Sequence, residues 1–329
     1  MTAYSLLDLV PIVQGGTASQ AFANAADLAR HAESLGYSRY WVAEHHGMEG
    51  IASAATAVVI GHVGAATSTI RIGAGGIMLP NHAPLQIAEQ FGTLDALFPG
   101  RVDLGLGRAP GSDQRVAQAI RRNLETDANA FPQDVMELQS FFADDGQTGI
   151  RATPGAGAKV DLWILGSSTF GAQLAAALGL PYAFASHFAP GQMMEAIEIY
   201  RRTFRPSAAL AKPHLMLGFN VFAADTDAEA ELLASSQQQA FVAIRTSGKG
   251  IQLPPPVPGY RESLGPQGAA MLDQVLSASA TGGPARVSEQ IAAFIAKTGA
   301  DELMIASAMF DHEARKKSLT IAAEAMRGL

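Results

Sequence analysis

Short apolar runs alternate along the chain with longer stretches of helical periodicity, and the apolar runs tend to end abruptly in polar residues. A strand at about Tyr4–Val10 precedes a pattern from Ser19 to Ser34 in which Ala and Leu recur at helical spacing, with Gly36 as the stop. Arg39–Ala43 reads as a second strand and Ala52–Ala66 as an alanine-rich helix. Ile70–Met78 is the third strand. Pro84 then opens a helix to about Leu97, in the first-turn position that proline favours. The Pro99-Gly100 turn leads into strand four, Arg101–Gly107, and helical patterns follow near Asp113–Asn123 and Gln133–Ala143. Beyond a Gly/Pro-rich stretch at Thr148–Ala158 come strand five (Asp161–Gly166), a helix and strand six (Pro181–Ser186). A helix over Pro190–Phe204 and strand seven (His214–Ala223) follow. The last unit is a helix at Ser288–Thr298, strand eight at Asp301–Ser307 and a helix at Glu313–Arg327.

Strands separated by helices are the pattern of a parallel sheet. Eight such units in 329 residues favour an α/β fold of the (β/α)8 TIM-barrel type over an open doubly wound sheet. One segment, Thr246–Gly283, breaks the rhythm with three prolines at Pro254–Pro256, scattered glycines and little apolar periodicity. Loops of that length serve as lids or binding loops, or are disordered. The expectation is a single domain over residues 1–329, with a mobile, lid-like insertion at about 246–283, late in the barrel.

The polar residues fall at the ends of the strands. Arg39–His46, RYWVAEHH, finishes in Glu44, His45 and His46, which suits a barrel whose chemistry sits at the carboxyl ends of its strands. Histidine titrates near neutrality, so it is a candidate for proton transfer or ligand binding there. The arrangement recurs: Asn81 and His82 follow strand three, and Arg108 and Ser112-Asp113 follow strand four. Ser167, Ser168 and Thr169 follow strand five, and His187 follows strand six. The run Gly166–Thr169, GSST, lies between a strand and a helix, where free N–H groups and hydroxyls can hold a phosphate. An ordinary Ser/Thr N-cap would read the same way. Arg108 suits an anion bidentately or a surface ion pair; together with GSST it reads as a phosphate clamp. Gly75-Gly76 lies inside an otherwise apolar strand, IGAGGIML. That pair points to close approach by another backbone or a flat ligand, or to a tightly packed helix.

Other chemistries are disfavoured. His45 and His46 are adjacent in an extended strand and point to opposite faces, and HEXXH, HXH and an aspartate-rich calcium loop are absent, so no metal site is read. GxSxG is absent. GLGRAPG at Gly105–Gly111 fails as a dinucleotide fingerprint through Pro110 and its glycine spacing. Hydrophobic residues make up 48% and charged ones 16%, enough for a large core. A net charge of −7 leaves no basic surplus for nucleic acid or an anionic membrane. With no cysteine, disulfides, thiolate nucleophiles and Cys-based metal centres are removed. The start, MTAYSLLDLVPIV, lacks a basic n-region, and no uninterrupted apolar window of ~18 residues occurs, so a soluble, cytoplasmic protein is expected.

Several long motifs, in order, resemble the luciferase-like flavin-dependent monooxygenases. They are AEHH at Ala43–His46, GAGGIMLPNHAPLQIAEQ at Gly73–Gln90, LDALFPGRVDLGLGRAPGSD at Leu94–Asp113, GSST near Gly166, and GADELMIASAMFDHEARKKSLTIAAEAM at Gly299–Met326. The resemblance covers most of the chain except Asp144–Asp161 and Thr246–Ser279. It implies a (β/α)8 barrel that binds reduced FMN from a separate flavin reductase. Reaction with O2 then gives a C4a-peroxyflavin that oxidises a small organic substrate. On this resemblance His45 matches the catalytic histidine, Arg108 and Ser167–Thr169 match the positions that hold the FMN phosphate, and Gly75-Gly76 matches a non-proline cis peptide against the isoalloxazine. His46, Asn81, His82 and His187 are left as rim candidates for the substrate. Thr246–Gly283 would be the lid, and the helices Ala52–Ala66 and Pro84–Leu97 would supply a homodimer face. Light-emitting members carry a reactive cysteine where this chain has Gly107, so the resemblance gives no reason to expect light. Some relatives use the deazaflavin F420 for hydride transfer, but the double histidine resembles the FMN branch. A non-catalytic flavin-binding relative is the third possibility; retention of His45 argues against it, since a pure binder needs no base.

Overall fold

Eight parallel strands close on themselves. The computed structural model describes residues 2–108, 119–120, 130–146, 149–248 and 250–329. The closed ring is formed by β1 (Ala3–Asp8), β2 (Arg39–Val42), β3 (Arg71–Met78), β4 (Val102–Gly107), β5 (Asp161–Gly166), β6 (Tyr182–Phe184), β7 (Leu215–Ala223) and β9 (Glu302–Ala306). Register runs through Leu7↔Trp41, Val42↔Ala74, Gly75↔Gly105, Gly107↔Leu165, Gly166↔Phe184 and Ala183↔Met216, and closes through Phe219↔Ile305 and Leu6↔Ile305. The strand β8 (Ser279–Gly282) stands outside this ring and pairs with Asn220–Ala223 of β7.

Helices sit between the strands: α1 (Ala18–Ser34), α2 (Thr56–Ala66), α3 (Pro84–Leu97), α4 (Phe131–Ala143), α5 (Thr169–Leu178), α6 (Met193–Thr203), α7 (Asp227–Ser247), α8 (Tyr260–Ser263), α9 (Gly265–Val275), α10 (Pro284–Thr298) and α11 (His312–Arg327). Side-chain caps fix several starts. Thr17 accepts from the Gln20 N–H, Thr226 from Glu229 and Asp311 from Ala314, each satisfying an N–H the helix cannot. The helix pattern at Asp113–Asn123 and the Ser112-Asp113 pair lie outside the described residues, apart from positions 119–120. No helix among the described residues is long and apolar enough to cross a membrane.

Strand alternation sorts side chains into two cores. Leu7, Trp41, Ala43, Trp163, Ala183, Met216 and Met304 fill the barrel. Their neighbours, including Leu6, Tyr40, Val42, Ile72, Leu104 and Ile164, face the helices. Burying each of the larger groups contributes about 1.5–3 kcal/mol. The amino-terminal mouth of the barrel is closed by charges. Arg39 reaches Asp103 at 2.8 Å and Glu302 at 3.1 Å, and Arg71 reaches Asp103 and Asp161 at 2.6 Å each. Trp41 Nε1 donates to Asp103 at 2.9 Å, and the Arg39 guanidinium lies over Trp163 at 4.8 Å. With that end plugged, chemistry is left to the opposite rim.

Three expectations are corrected. Strand one stops at Asp8 because its carboxylate accepts the Val10 N–H at 2.9 Å and turns the chain. The alanine-rich helix starts at Thr56, not Ala52, because Ala52 N–H bonds Val10 O and Ile51 bridges Pro11. The Thr246–Gly283 segment holds more regular structure than its sequence pattern suggests: the end of α7, then α8, α9 and β8. Its proline run is tied to α7, with Gln239 Nε2 donating to Pro255 O at 2.9 Å and Val257 N–H to Ser235 Oγ at 2.8 Å. Leu253 pairs its N–H with Ile12 O and accepts from Gln14, so the segment crosses the loop that follows β1. It also meets the loop after β2, since a Cβ on Gly50 would lie 1.9 Å from Ile251 O.

Candidate active site on the carboxyl rim

The ends of β2 through β6 are consecutive neighbours, so the polar residues that follow them share one rim. After β2, Ala43 still faces the barrel and Glu44 is buried, 1% exposed. The Glu44 N–H donates to Gly76 O at 3.1 Å and continues the β2–β3 pairing. Its carboxylate accepts from His46 Nε2 at 2.7 Å, His82 Nε2 at 2.9 Å and the Met78 N–H at 2.9 Å. Burial opposes ionisation of Glu44, but the hydrogen bond and charge of His82, the bond from His46 and the Met78 amide outweigh it. The carboxyl is held below its usual range. Asn81 belongs to the short turn Leu79–Asn81 that delivers His82 to this carboxylate.

His45 points elsewhere. Its Nδ1 is buried with no hydrogen-bond partner among the described residues, and so is the Nδ1 of His187. Burial lowers the His45 pKa; the Glu44 charge and a hydrogen bond to the Ala43 backbone oppose this, and the His46 charge reinforces it. His187, after β6, is pushed down to about 4 by burial and then by the charge of His45. Both rings are therefore neutral at pH 7, each with a nitrogen free to donate or accept. The ring of His187 lies on Gly218 of β7, where a Cβ would fall 2.0 Å from its Nδ1. Its backbone is held by Asn220 Nδ2 donating to His187 O at 2.8 Å.

The Gly75-Gly76 peptide is cis. The register of β3 against β4 shifts between Gly75 and Ile77. Packing within the barrel accounts for both glycines: a Cβ on Gly75 would press on Trp41 at 2.9 Å and Leu7 at 3.1 Å, and one on Gly76 would meet Gly105 O at 2.6 Å. Close approach by a neighbouring backbone, one of the readings open from sequence, accounts for Gly76; crowding by the Trp41 and Leu7 side chains, which was not among them, accounts for Gly75.

Arg108 and the GSST run share a corner because Gly107 pairs with Leu165 at the ends of β4 and β5. The exposed Arg108 guanidinium stacks on Phe170 with 4.1 Å to the ring centroid. Ser168 is the N-cap residue of α5, yet its side chain makes no capping hydrogen bond, which sets it apart from an ordinary Ser cap. No acidic side chain occupies the first turn of α5. A cation over an aromatic ring, two serines and a helix N-terminus form a set suited to a phosphate.

Sequence reading passed over Glu44, Phe170 and Gly218 as site residues. Gly218 carried the same signal as Gly75-Gly76, a glycine interrupting a buried strand. Among the described residues, the group of His, Asp and Glu close enough to share an ion is Asp27, His312 and Glu313, between α1 and α11, and Lys316 Nζ already pairs with Asp27 at 3.1 Å. None of the rim histidines belongs to it.

Residues 5–302 match the family profile described as luciferase-like monooxygenase. A luciferase-like monooxygenase of Escherichia coli strain K12 is 52% identical over 321 residues, 97% of this chain and 96% of its own. The N-acetyl-S-alkylcysteine monooxygenase of Bacillus subtilis strain 168 is 37% identical over 257 residues, 76% of each chain. Among solved structures, apo-MsnO8 superposes with a TM-score of 0.89 at 33% identity and covers 99% of both chains. The fold alone is shared with two others. One is the FMN complex of the oxygenating constituent of 3,6-diketocamphane monooxygenase from the CAM plasmid of Pseudomonas putida, with a TM-score of 0.71 and 18% identity over 98% of this chain and 97% of that one. The other is an F420-dependent secondary alcohol dehydrogenase with an F420-acetone adduct, with a TM-score of 0.70 and 15% identity over 99% of both chains. The chain belongs to the luciferase-like monooxygenase family.

Proposed function

We propose that this protein is an FMN-dependent monooxygenase that takes reduced FMN from a separate flavin reductase and uses O2 to oxidise a small organic substrate. The observation that carries the reading is the joint placement, on one rim at the ends of β2, β4 and β5, of the Arg108–Phe170–Ser168 corner and a neutral His45 whose Nδ1 has no partner. The residues fit the cofactor. Arg108 and Ser167–Thr169 would hold the phosphate, and the Gly75-Gly76 stretch offers a wall without side chains for the ring. His46, Asn81, His82 and His187 complete the rim, and Gly250–Leu253, lying against the loops after β1 and β2, would exclude water from it.

When bound, reduced FMN supplies the two electrons that place one oxygen atom of O2 in the product and the other in water. The protein contributes position and proton control. A neutral His45 can accept a proton at Nδ1 or hold a hydrogen bond there, and burial keeps it neutral at pH 7. Arg108 contributes binding through its charge and its paired N–H donors. A homodimer is part of the proposal, supported by Val58 on α2 and Leu97 at the end of α3, which are 74% and 63% exposed on neighbouring helices. A cytoplasmic setting, where reductases supply reduced flavin, is part of it too.

The test supplies the whole protein with a flavin reductase, FMN, NADH and isotopically labelled O2, and offers panels of organic sulfides, ketones and aldehydes. Label in an oxidised product supports the proposal. Oxidation of substrate without label, or hydride transfer to or from F420 when F420 replaces FMN with the same panels, overturns it in favour of the deazaflavin reading.

A further inference from the structure

Glu44 is a buried ionisable group on the carboxyl rim that the proposed chemistry leaves unused. A carboxylate 1% exposed survives only if its lone pairs are filled, and here three donors fill them. The donors come from different places. His46 is two residues on in the same loop, Met78 closes β3, and His82 follows the turn after β3. Glu44 also donates its own N–H to Gly76 O. One side chain thus fastens the end of β2 to the end of β3 on the carboxyl side of the cis peptide. His45 lies between two anchored residues, Glu44 and His46, and its own Nδ1 is buried without a partner. Its backbone is pinned on both sides.

We propose that Glu44 is a positioning residue for His45: its carboxylate, held by His46, His82 and the Met78 amide, fixes where the His45 imidazole stands. The proposal rests on His45 being the reactive histidine. It moves His46 and His82 from substrate candidates to donors that orient a buried carboxylate. Each gives Nε2–H to Glu44, which settles its tautomer when neutral. The ionisable groups facing His45 are Glu44 and His46 from its own segment and His187 from the end of β6.

The test compares wild type, Glu44→Gln and Glu44→Ala. Gln keeps an oxygen for the Met78 N–H and removes the charge, so it keeps the fold. Nuclear magnetic resonance of the flavin-free protein reports hydrogen exchange at Met78 and the titration of the His45 ring. In Glu44→Gln the Met78 amide stays protected, while the His45 midpoint moves to lower pH because the anion that favoured its charged form is gone. In Glu44→Ala that protection is lost as well. With reduced FMN and O2, Glu44→Gln reacts roughly 10- to 100-fold more slowly, the scale of a misplaced reacting group, and retains its affinity for reduced FMN. A folded Glu44→Gln protein whose His45 titrates at the wild-type pH overturns the proposal. A wild type that takes up no reduced flavin overturns the oxygenase reading instead, and leaves the flavin-free titration to decide on Glu44.

Discussion

Gly218→Ala isolates one contact that the structure makes quantitative. An added Cβ would lie 2.0 Å from His187 Nδ1 and 3.0 Å from its Cε1 and Cγ, so the whole ring is in the way. Ordinary contact needs about 3.5 Å, so the imidazole must retreat by roughly 1.5 Å. The site resists that retreat, because Asn220 holds His187 O at 2.8 Å and Ser186 Oγ donates to Gly218 O at 2.7 Å. Overpacking of this kind costs about 1–3 kcal/mol. The assay is denaturant unfolding of wild type, Gly218→Ala, His187→Ala and the double variant. Gly218→Ala is less stable by that amount, and His187→Ala relieves most of the penalty, giving a coupling of about 1 kcal/mol or more. A fully stable Gly218→Ala protein, or a penalty unchanged when His187 is removed, refutes the seating of His187 on Gly218.

Four further outcomes follow from the same geometry. Arg108→Ala weakens FMN by about 10- to 100-fold, the scale of a charged hydrogen bond, and leaves riboflavin nearly unaffected; equal loss for both in equilibrium titrations removes the phosphate assignment. His45→Ala binds FMN but loses oxygenation, and unchanged turnover on an identified substrate would remove its catalytic role. Asp103→Ala lowers stability by about 3 kcal/mol, because it strips Arg39 and Arg71 of their shared carboxylate beneath the barrel core, and a shift below 1 kcal/mol in unfolding would contradict this. Glu33 accepts the amides of Ser68, Thr69 and Ile70; burial opposes its ionisation, but these bonds lower its pKa from 4.5 to about 2. Its folded pKa is depressed, so its stabilisation is present above pH 4.5 and lost as pH falls through about 2. The gap in melting temperature between wild type and Glu33→Gln therefore narrows across that window, and a gap independent of pH would contradict the linkage.

The barrel was legible because its parallel strands are nearly continuous apolar runs and several of its helices are bounded by a first-turn proline or a terminal glycine. Pro84–Leu97 and Asp161–Gly166 coincide with their sequence reading for that reason. The failures have physical causes. The helix α7 was missed because its inward face mixes Ala, Ser and Phe and its mean hydropathy is close to neutral. The strand β8 is four residues, SATG, with only Ala280 and Gly282 buried, too little to leave an apolar pattern. At the site, one-residue alternation told that His45 and His46 diverge, and the structure sends His46 to Glu44 and leaves His45 without a partner at Nδ1. What alternation cannot supply is the partner across the sheet. That Glu44 gathers His82 from 38 positions away, and that Phe170 receives Arg108, are consequences of strand register alone.

The central claim is that this rim holds reduced FMN and lets it react with O2. An anaerobic titration of the whole protein with reduced FMN and, separately, with reduced F420, followed by admission of O2, tests it most directly. The account predicts saturable binding of reduced FMN in preference to F420, and a return of oxidised-flavin absorbance on adding O2 at a rate that Arg108→Ala and His45→Ala alter. Preferential binding of F420 that stays reduced when O2 is admitted would contradict it.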